Sequence, residues 1–436
     1  MVAKPRLIDR AAPYAAQLKT TGEEPVWLKA LRDDAMARFQ AEGFPTLRTE
    51  AWKYTNIERL TRAVFMPPDE PGKIAEDLIA PYAIDGHRLV FIDGHFYSAL
   101  SDLGFLPEGI CLASFGRVID FSPEVVEPHL HHVGSALAAL NLALMRDGAV
   151  IVLPKDMVLE KPIHLVHIST GATENAVSHL RHLIVLGENA AATVLETRIG
   201  TARKAAWTNA VTEIELARGA RLRHYAWIDE TASSFHTART ALRLDRDAAV
   251  ETFAGAGGGG VMRNEIVVAL AGEGGEARVD GIALGRGRAH IDNWTEIVHA
   301  APHTNSRQVF KSVLDDRSRS AFQGRVVVNE GAQKVDAQQL NRNLLLSPQA
   351  RADSKPELEI LADDVKCSHG ATVGDLDKNS IFYLRSRGIP EAQARALLVE
   401  AFIAELLEGV TDVAVRGWLR ARVDVWLAAE RQRKAA

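Results

Sequence analysis

Leu186-Gly187-Glu188-Asn189-Ala190, Leu216-Ala217-Arg218-Gly219-Ala220, Leu244-Asp245-Arg246-Asp247-Ala248 and Leu270-Ala271-Gly272-Glu273-Gly274 each set an apolar residue immediately before a polar turn. Their leucines lie 30, 28 and 26 residues apart, and the series runs on to Val298 and to Val328, 28 and 30 residues further. A period near 28 with almost no helical pattern between the turns is the signature of a solenoid, whose coils bury a face only by stacking on the next coil. The reading is a mainly β chain built on a right-handed parallel β-helix. A β-sandwich or barrel with turns every ~8–12 residues is the alternative that a loose repeat leaves open. A left-handed hexapeptide helix suits the pattern less well, because no six-residue apolar period is visible.

Outward from the repeat, short β-branched runs begin near residue 86: Arg88-Leu89-Val90-Phe91-Ile92, Val150-Ile151-Val152-Leu153 and Ile163-His164-Leu165-Val166-His167-Ile168 are bounded by turn residues. Before them, Trp27, Leu28, Leu31, Ala35 and Phe39 recur at helical spacing, with Gly43 placed as a left-handed cap. Beyond about residue 370, three helices are expected over Asp377–Arg387, Pro390–Leu407 and Thr411–Arg431, with Gly388 and Gly409 as caps. Leu397, Leu398, Phe402 and Leu406 form a stripe that either caps the solenoid or meets a partner. The expected organisation is an N-terminal helical region (1–85), a β-helix core (86–368) and a C-terminal helical domain (369–436).

Composition narrows the function. The 436 residues are 47% hydrophobic and 25% charged, with a formal net charge of −5, a balance that speaks against nucleic acid as a partner. No apolar run reaches transmembrane length and the N-terminus lacks an apolar signal core, so no membrane insertion or secretion is expected. The two cysteines, Cys111 and Cys367, form no disulfide framework, and a cytoplasmic protein is expected.

Few residues offer chemistry. Gly255-Ala256-Gly257-Gly258-Gly259-Gly260 formally contains G-x-G-x-x-G, but a strand-like run follows it and no helix N-terminus is offered to a phosphate. A tight solenoid turn is the better reading. The absence of a G-x-x-x-x-G-K-[ST] segment excludes a P-loop ATPase. Histidines come in groups: His164 with His167, His179 with His182, His299 with His303, and His129, His131 and His132. Three-residue separation in a strand puts the first two pairs on opposite faces, and none of the groups has a cysteine or carboxylate at recognisable ligand spacing. Asp315-Asp316 and Asp363-Asp364 read as turn carboxylates, although β-helix hydrolases and lyases also use carboxylate clusters.

Val365-Lys366-Cys367-Ser368-His369-Gly370-Ala371-Thr372-Val373-Gly374 is the most unusual segment. Cys367 and His369, two apart, project to one face of an extended chain, and Lys366 would favour the thiolate. Sulfur beside imidazole suits iron, zinc or persulfide chemistry, but two ligands do not close a site. The competing reading is a buried structural cysteine where the solenoid joins the helices.

That segment, followed by Ile381-Phe382-Tyr383-Leu384-Arg385-Ser386-Arg387-Gly388-Ile389-Pro390 and preceded far upstream by Glu50-Ala51-Trp52-Lys53-Tyr54-Thr55, resembles the SufB/SufD family of iron–sulfur cluster assembly scaffolds over nearly the whole chain. With two cysteines it is similar to the cysteine-poor member of the pair. The resemblance implies a non-catalytic scaffold subunit: a β-helix that forms a heterodimer with a SufB-type scaffold, and C-terminal helices, about residues 375–436, that dock a SufC-type ABC ATPase which hydrolyses the ATP. It implies that His369 is the candidate iron ligand facing the partner's cysteine, with Cys367 beside it, at a transient cluster shared between the chains. No cofactor tightly bound by the isolated chain is expected, and a homodimer of the lone chain is left open. The rivals are a β-helix hydrolase or lyase and a stand-alone metal-binding protein.

Overall fold

The computed structural model describes residues 10–18, 24–131 and 134–435. From His87 to Gly374 the chain winds into a β-solenoid of about eight turns. From Ala149 onward successive strands alternate between a ten-stranded and a nine-stranded sheet, so each pairs with the strand two along the chain. The pairing is parallel except for two short antiparallel contacts at the N-terminal end.

The stacked positions explain the repeat. Leu186, Leu216, Leu244 and Leu270 are in-register neighbours, rung upon rung, in the nine-stranded sheet. The next rung is His299 rather than the expected Val298, and it leads on to Val328. Alternation along the strand decides this, because His299 shares the lumenal face with the leucines while Val298 faces the other way. His299 is tolerated inside because its ring nitrogens lie 2.7 Å from the Thr304 hydroxyl and 2.9 Å from that of Ser306. Burial drives its imidazole pKa down to about 4.

The polar turns stack as well. Asn189, Gly219, Asp247, Gly274, His303 and Lys334 all have positive φ, and the backbone N–H of each donates to a carbonyl in the turn above. Gly219 and Gly274 are required to be small: a Cβ at either would sit 2.4 Å from the side-chain oxygen of Asn189 or Asp247 on the neighbouring turn. His303 is thus a turn residue, not half of a ligand pair.

The helices cover the outer faces. Helices Ala12–Leu18, Val26–Glu42 and Ala136–Leu144 form an apolar cluster that includes Trp207, Val177 and Phe235 of the nine-stranded sheet. Helices Glu391–Leu407 and Val413–Ala435 pack on the ten-stranded sheet against Leu195, Tyr225 and Trp227. Two helices, Phe115–Phe121 and Ala136–Leu144, interrupt the stretch expected to be solenoid from residue 86. The second is buried on every side and shows no amphipathic stripe to reveal it. The final strand, Lys366–Gly374, runs past the expected boundary at 368, and helix Lys378–Ser386 begins only after Asp377, whose carboxylate caps it. Gly388 is left-handed as expected, with φ 84°. Gly409 is not, and it lies against the tip of the Arg278 side chain.

Candidate functional site

Strand Lys366–Gly374 is the last rung of the ten-stranded sheet, and among the described residues nothing pairs with its other edge. The Lys366 N–H donates to the Val335 carbonyl of the rung beneath. The backbone groups of Cys367, His369, Ala371 and Val373 therefore point to the open edge, by the alternation of a parallel ladder. The same alternation sets their side chains above Ala337, Gln339, Asn341 and Asn343, all buried in the solenoid interior. His369 thus stands on the lumenal face at the open end, and it is exposed.

The nine-stranded sheet ends in strand Arg351–Ile360, also unpaired beyond. Arg351 N–H donates inward, to Ser318, so Pro356 falls on the outward-facing set, where it removes a donor and blunts that edge. The edge carrying His369 has no such interruption.

Cys367 is half-buried beside Ala337 and Val328. Desolvation, with the Asp336 carboxylate adding to it, pushes its thiol pKa up. Of the two motif residues His369 is the exposed one, while Cys367 packs against the last coil.

The expected apolar stripe divides. Leu406 is 3% exposed in the cluster under the helix, Leu398 and Phe402 pack against that cluster, and only Leu397, at 40%, faces out. Lys311 on the solenoid donates to the Phe402 carbonyl and to Glu405, both at 2.7 Å, and lies 4.6 Å over the Phe402 ring. Leu398, Phe402 and Leu406 fasten the helix to the solenoid and are not a free surface. Apolar residues are also exposed on the helix before, Phe382 at 73% and Tyr383 at 58%, and on the last helix, Val413 at 70% and Val425 at 61%. Sequence reasoning did not single out Phe382 and Tyr383, which sit side by side rather than at the three- and four-residue spacing of a stripe.

The members of each of the first two histidine pairs lie on opposite faces, as their spacing implies, but one member of each pair meets the other's in the lumen. His167, His182 and Glu196, from three strands, bring ligand atoms within 4.8 Å of one another inside the lumen. Glu196 is already neutralised by Arg198 at 2.5 Å and lies 2.8 Å from His224 Nε2, and it accepts from Thr212 at 3.0 Å. His182 Nδ1 accepts the Ala149 N–H at 2.9 Å, which leaves the proton of the neutral ring on Nε2, the nitrogen a metal would need. Burial holds the His182 pKa down at about 4 and that of His167 well below its usual value. The trio is a buried polar cluster with its carboxylate spent. His129 lies 2.8 Å from Glu215 and His131 3.6 Å; His132 lies outside the described residues.

The remaining motifs are structural. Gly255 and Gly257 admit the Trp227 indole, which a Cβ would meet at 2.3 and 3.0 Å. Asp316 accepts a turn N–H from Gly287, and Asp364 pairs with Lys334. In the upstream motif the Arg263 guanidinium stacks 4.2 Å over Trp52, Thr55 donates to Asp292, and Glu50 reaches Lys355 at 2.9 Å. This segment straps the N-terminal region across the solenoid as far as its last coil.

Two family models match in succession: the SufBD protein N-terminal region over residues 14–165, and the SUF system FeS cluster assembly SufBD core domain over residues 167–402. The chain belongs to the SufBD family. Among SufBD relatives, the iron-sulfur cluster assembly protein SufD of Escherichia coli is 35% identical over 386 residues, 87% of this chain and 89% of that protein. An iron-sulfur cluster assembly SufBD family protein of Synechocystis is 32% identical over 420 residues, covering 93% and 92%. The SufD protein of Bacillus subtilis is 28% identical over 427 residues, covering 94% and 96%. The SufBD core match takes in the whole of the open rung with His369. Among the described residues no helix is long and apolar enough to cross a membrane.

Proposed function

We propose that this SufBD chain is a non-catalytic scaffold subunit of the SUF iron–sulfur cluster assembly machinery, working in the cytoplasm. It pairs through the open rung Lys366–Gly374 with a SufB-type scaffold and carries a SufC-type ABC ATPase on its C-terminal helices. Iron or a nascent cluster is the cargo at the junction, held between His369 and ligands of the partner. One observation carries this reading: the motif strand is an unpaired rung with its backbone open and His369 exposed on the lumenal face.

The chemistry follows. An open edge adds a strand from another chain by main-chain hydrogen bonds, and an exposed imidazole there supplies one ligand to a site that only a second chain completes. Cys367, half-buried and held as the thiol, supports the rung. For the ATPase, Phe382, Tyr383 and Leu397 offer the apolar face that Leu398, Phe402 and Leu406 do not.

The test is cluster assembly by the complex reconstituted with the host's SufB- and SufC-type proteins. His369→Ala is expected to leave the complex intact and cut cluster yield at least tenfold, while Cys367→Ala costs less than twofold. Full yield with His369→Ala would defeat the site assignment.

A further inference from the structure

The lumen beneath the open rung holds a polar column. His224, Thr252, Val279, Gln308, Gln339 and His369 stack in register from one coil to the next. The lower polar members each have at least one partner: His224 Nδ1 lies 3.1 Å from the Thr252 hydroxyl, and Gln308 Oε1 accepts from Thr295 at 2.7 Å across the lumen, while Gln308 Nε2 has no partner among the described residues. Further along the same rungs, Ser312 donates to Asn343 at 2.5 Å. Side-chain hydrogen bonds between lumenal residues recur throughout this interior.

Gln339 breaks the pattern. It is buried, and among the described residues neither its carboxamide oxygen nor its nitrogen has a hydrogen-bond partner, so that, unlike its neighbours, it is unpaired at both ends. Gly324 faces it across the lumen, where a Cβ would lie 2.2 Å from Gln339 Nε2. An amide left unpaired at both ends inside a protein is costly, and leucine would fill the same space without the cost. The next rung above it, about 4.8 Å away, is His369. That spacing is within reach of a carboxamide turning about its terminal torsions.

We propose that Gln339 is the positioning residue of His369. Its Oε1 accepts the proton of one ring nitrogen, which fixes the tautomer and leaves the lone pair of the other nitrogen directed out of the lumen. Histidines that bind metals are commonly held this way, by an acceptor on the nitrogen that faces away from the metal. The inference rests on the reading of His369 as the iron ligand, and its test is separate from that reading.

The test uses the full-length chain labelled with ¹⁵N-histidine, with the His369 signal assigned by its loss in His369→Ala. Above the titration range of the ring, nitrogen shifts report the tautomer ratio. One hydrogen bond is expected to favour a single tautomer by about fivefold in the natural chain. Gln339→Leu should move the ratio to that of free histidine, and Gln339→Glu, which keeps an acceptor, should preserve the preference. Thermal melting of each variant identifies any that has not folded. Equal ratios in the natural, Leu and Glu forms, all folded, would overturn the proposal. A ratio that responds as expected, beside full cluster yield from His369→Ala, would keep the positioning role and remove the iron-ligand reading instead.

Discussion

Buried histidines give this solenoid a titration signature. His182 and His299 hold imidazole pKa values of about 4, and His164 and His179 values of about 3, in each case chiefly because burial disfavours the charged ring. The same rings titrate near 6.5 in an unfolded chain. Between those values the unfolded chain binds protons that the folded chain does not, so stability present above pH 6.5 is lost as the pH falls toward 4. Each such ring contributes a slope of about 1.4 kcal/mol per pH unit in that window. His299→Gln, which keeps hydrogen-bonding capacity toward Thr304 and Ser306, should remove about one proton's worth of slope from urea unfolding measured between pH 6.5 and 4.5. An unchanged slope would show that His299 is not held neutral. At this scale the sequence marked His369 by a distinctive motif, and it was silent for His299, since nothing local distinguishes a lumenal from an outward histidine one residue away from Val298. The meeting of His167, His182 and Glu196 was equally hidden, because it joins three strands whose order in space only the coil register sets.

Among elements, the C-terminal helices allow the two alternatives left open by the stripe, packing on the solenoid and meeting a partner, to be tested apart. Leu406→Ala removes a buried side chain from the cluster against the solenoid and is expected to cost about 2–5 kcal/mol of stability, seen as a lower unfolding midpoint. Phe382→Asp with Tyr383→Asp changes exposed positions and should leave the midpoint within about 0.5 kcal/mol. The pair should nevertheless weaken binding of the SufC-type ATPase at least tenfold by calorimetry. Reversed results, with Leu406→Ala binding poorly at full stability, would return the docking face to the stripe. Strand endings and the long helices could be read ahead of the structure because turn residues and periodic leucines mark them. Helix Ala136–Leu144 could not, since total burial erases the periodicity that would betray it.

The whole molecule is a stack closed at one end and open at the other. Toward the N-terminus, helices and antiparallel strands cover the first coils; at the far end, the last two strands have no described neighbour. Such edges invite another chain, and proteins that do not want one blunt them. Pro356 blunts one, and among the described residues nothing blunts the other. The repeat made the stack foreseeable, but its open end was not, because edge status depends on what fails to follow a strand in space. The most direct measurement is the mass, by light scattering, of the chain co-expressed with the host's SufB- and SufC-type proteins, in its natural form and as Ala371→Pro. Ala371 points its N–H to the open edge, so proline there removes a donor offered to a partner and leaves the chain's own ladder whole. The account predicts a stable three-protein complex for the natural chain, and for Ala371→Pro a folded chain that no longer retains the SufB-type partner. A complex of unchanged mass with Ala371→Pro, or a natural chain that ignores both proteins, would contradict it.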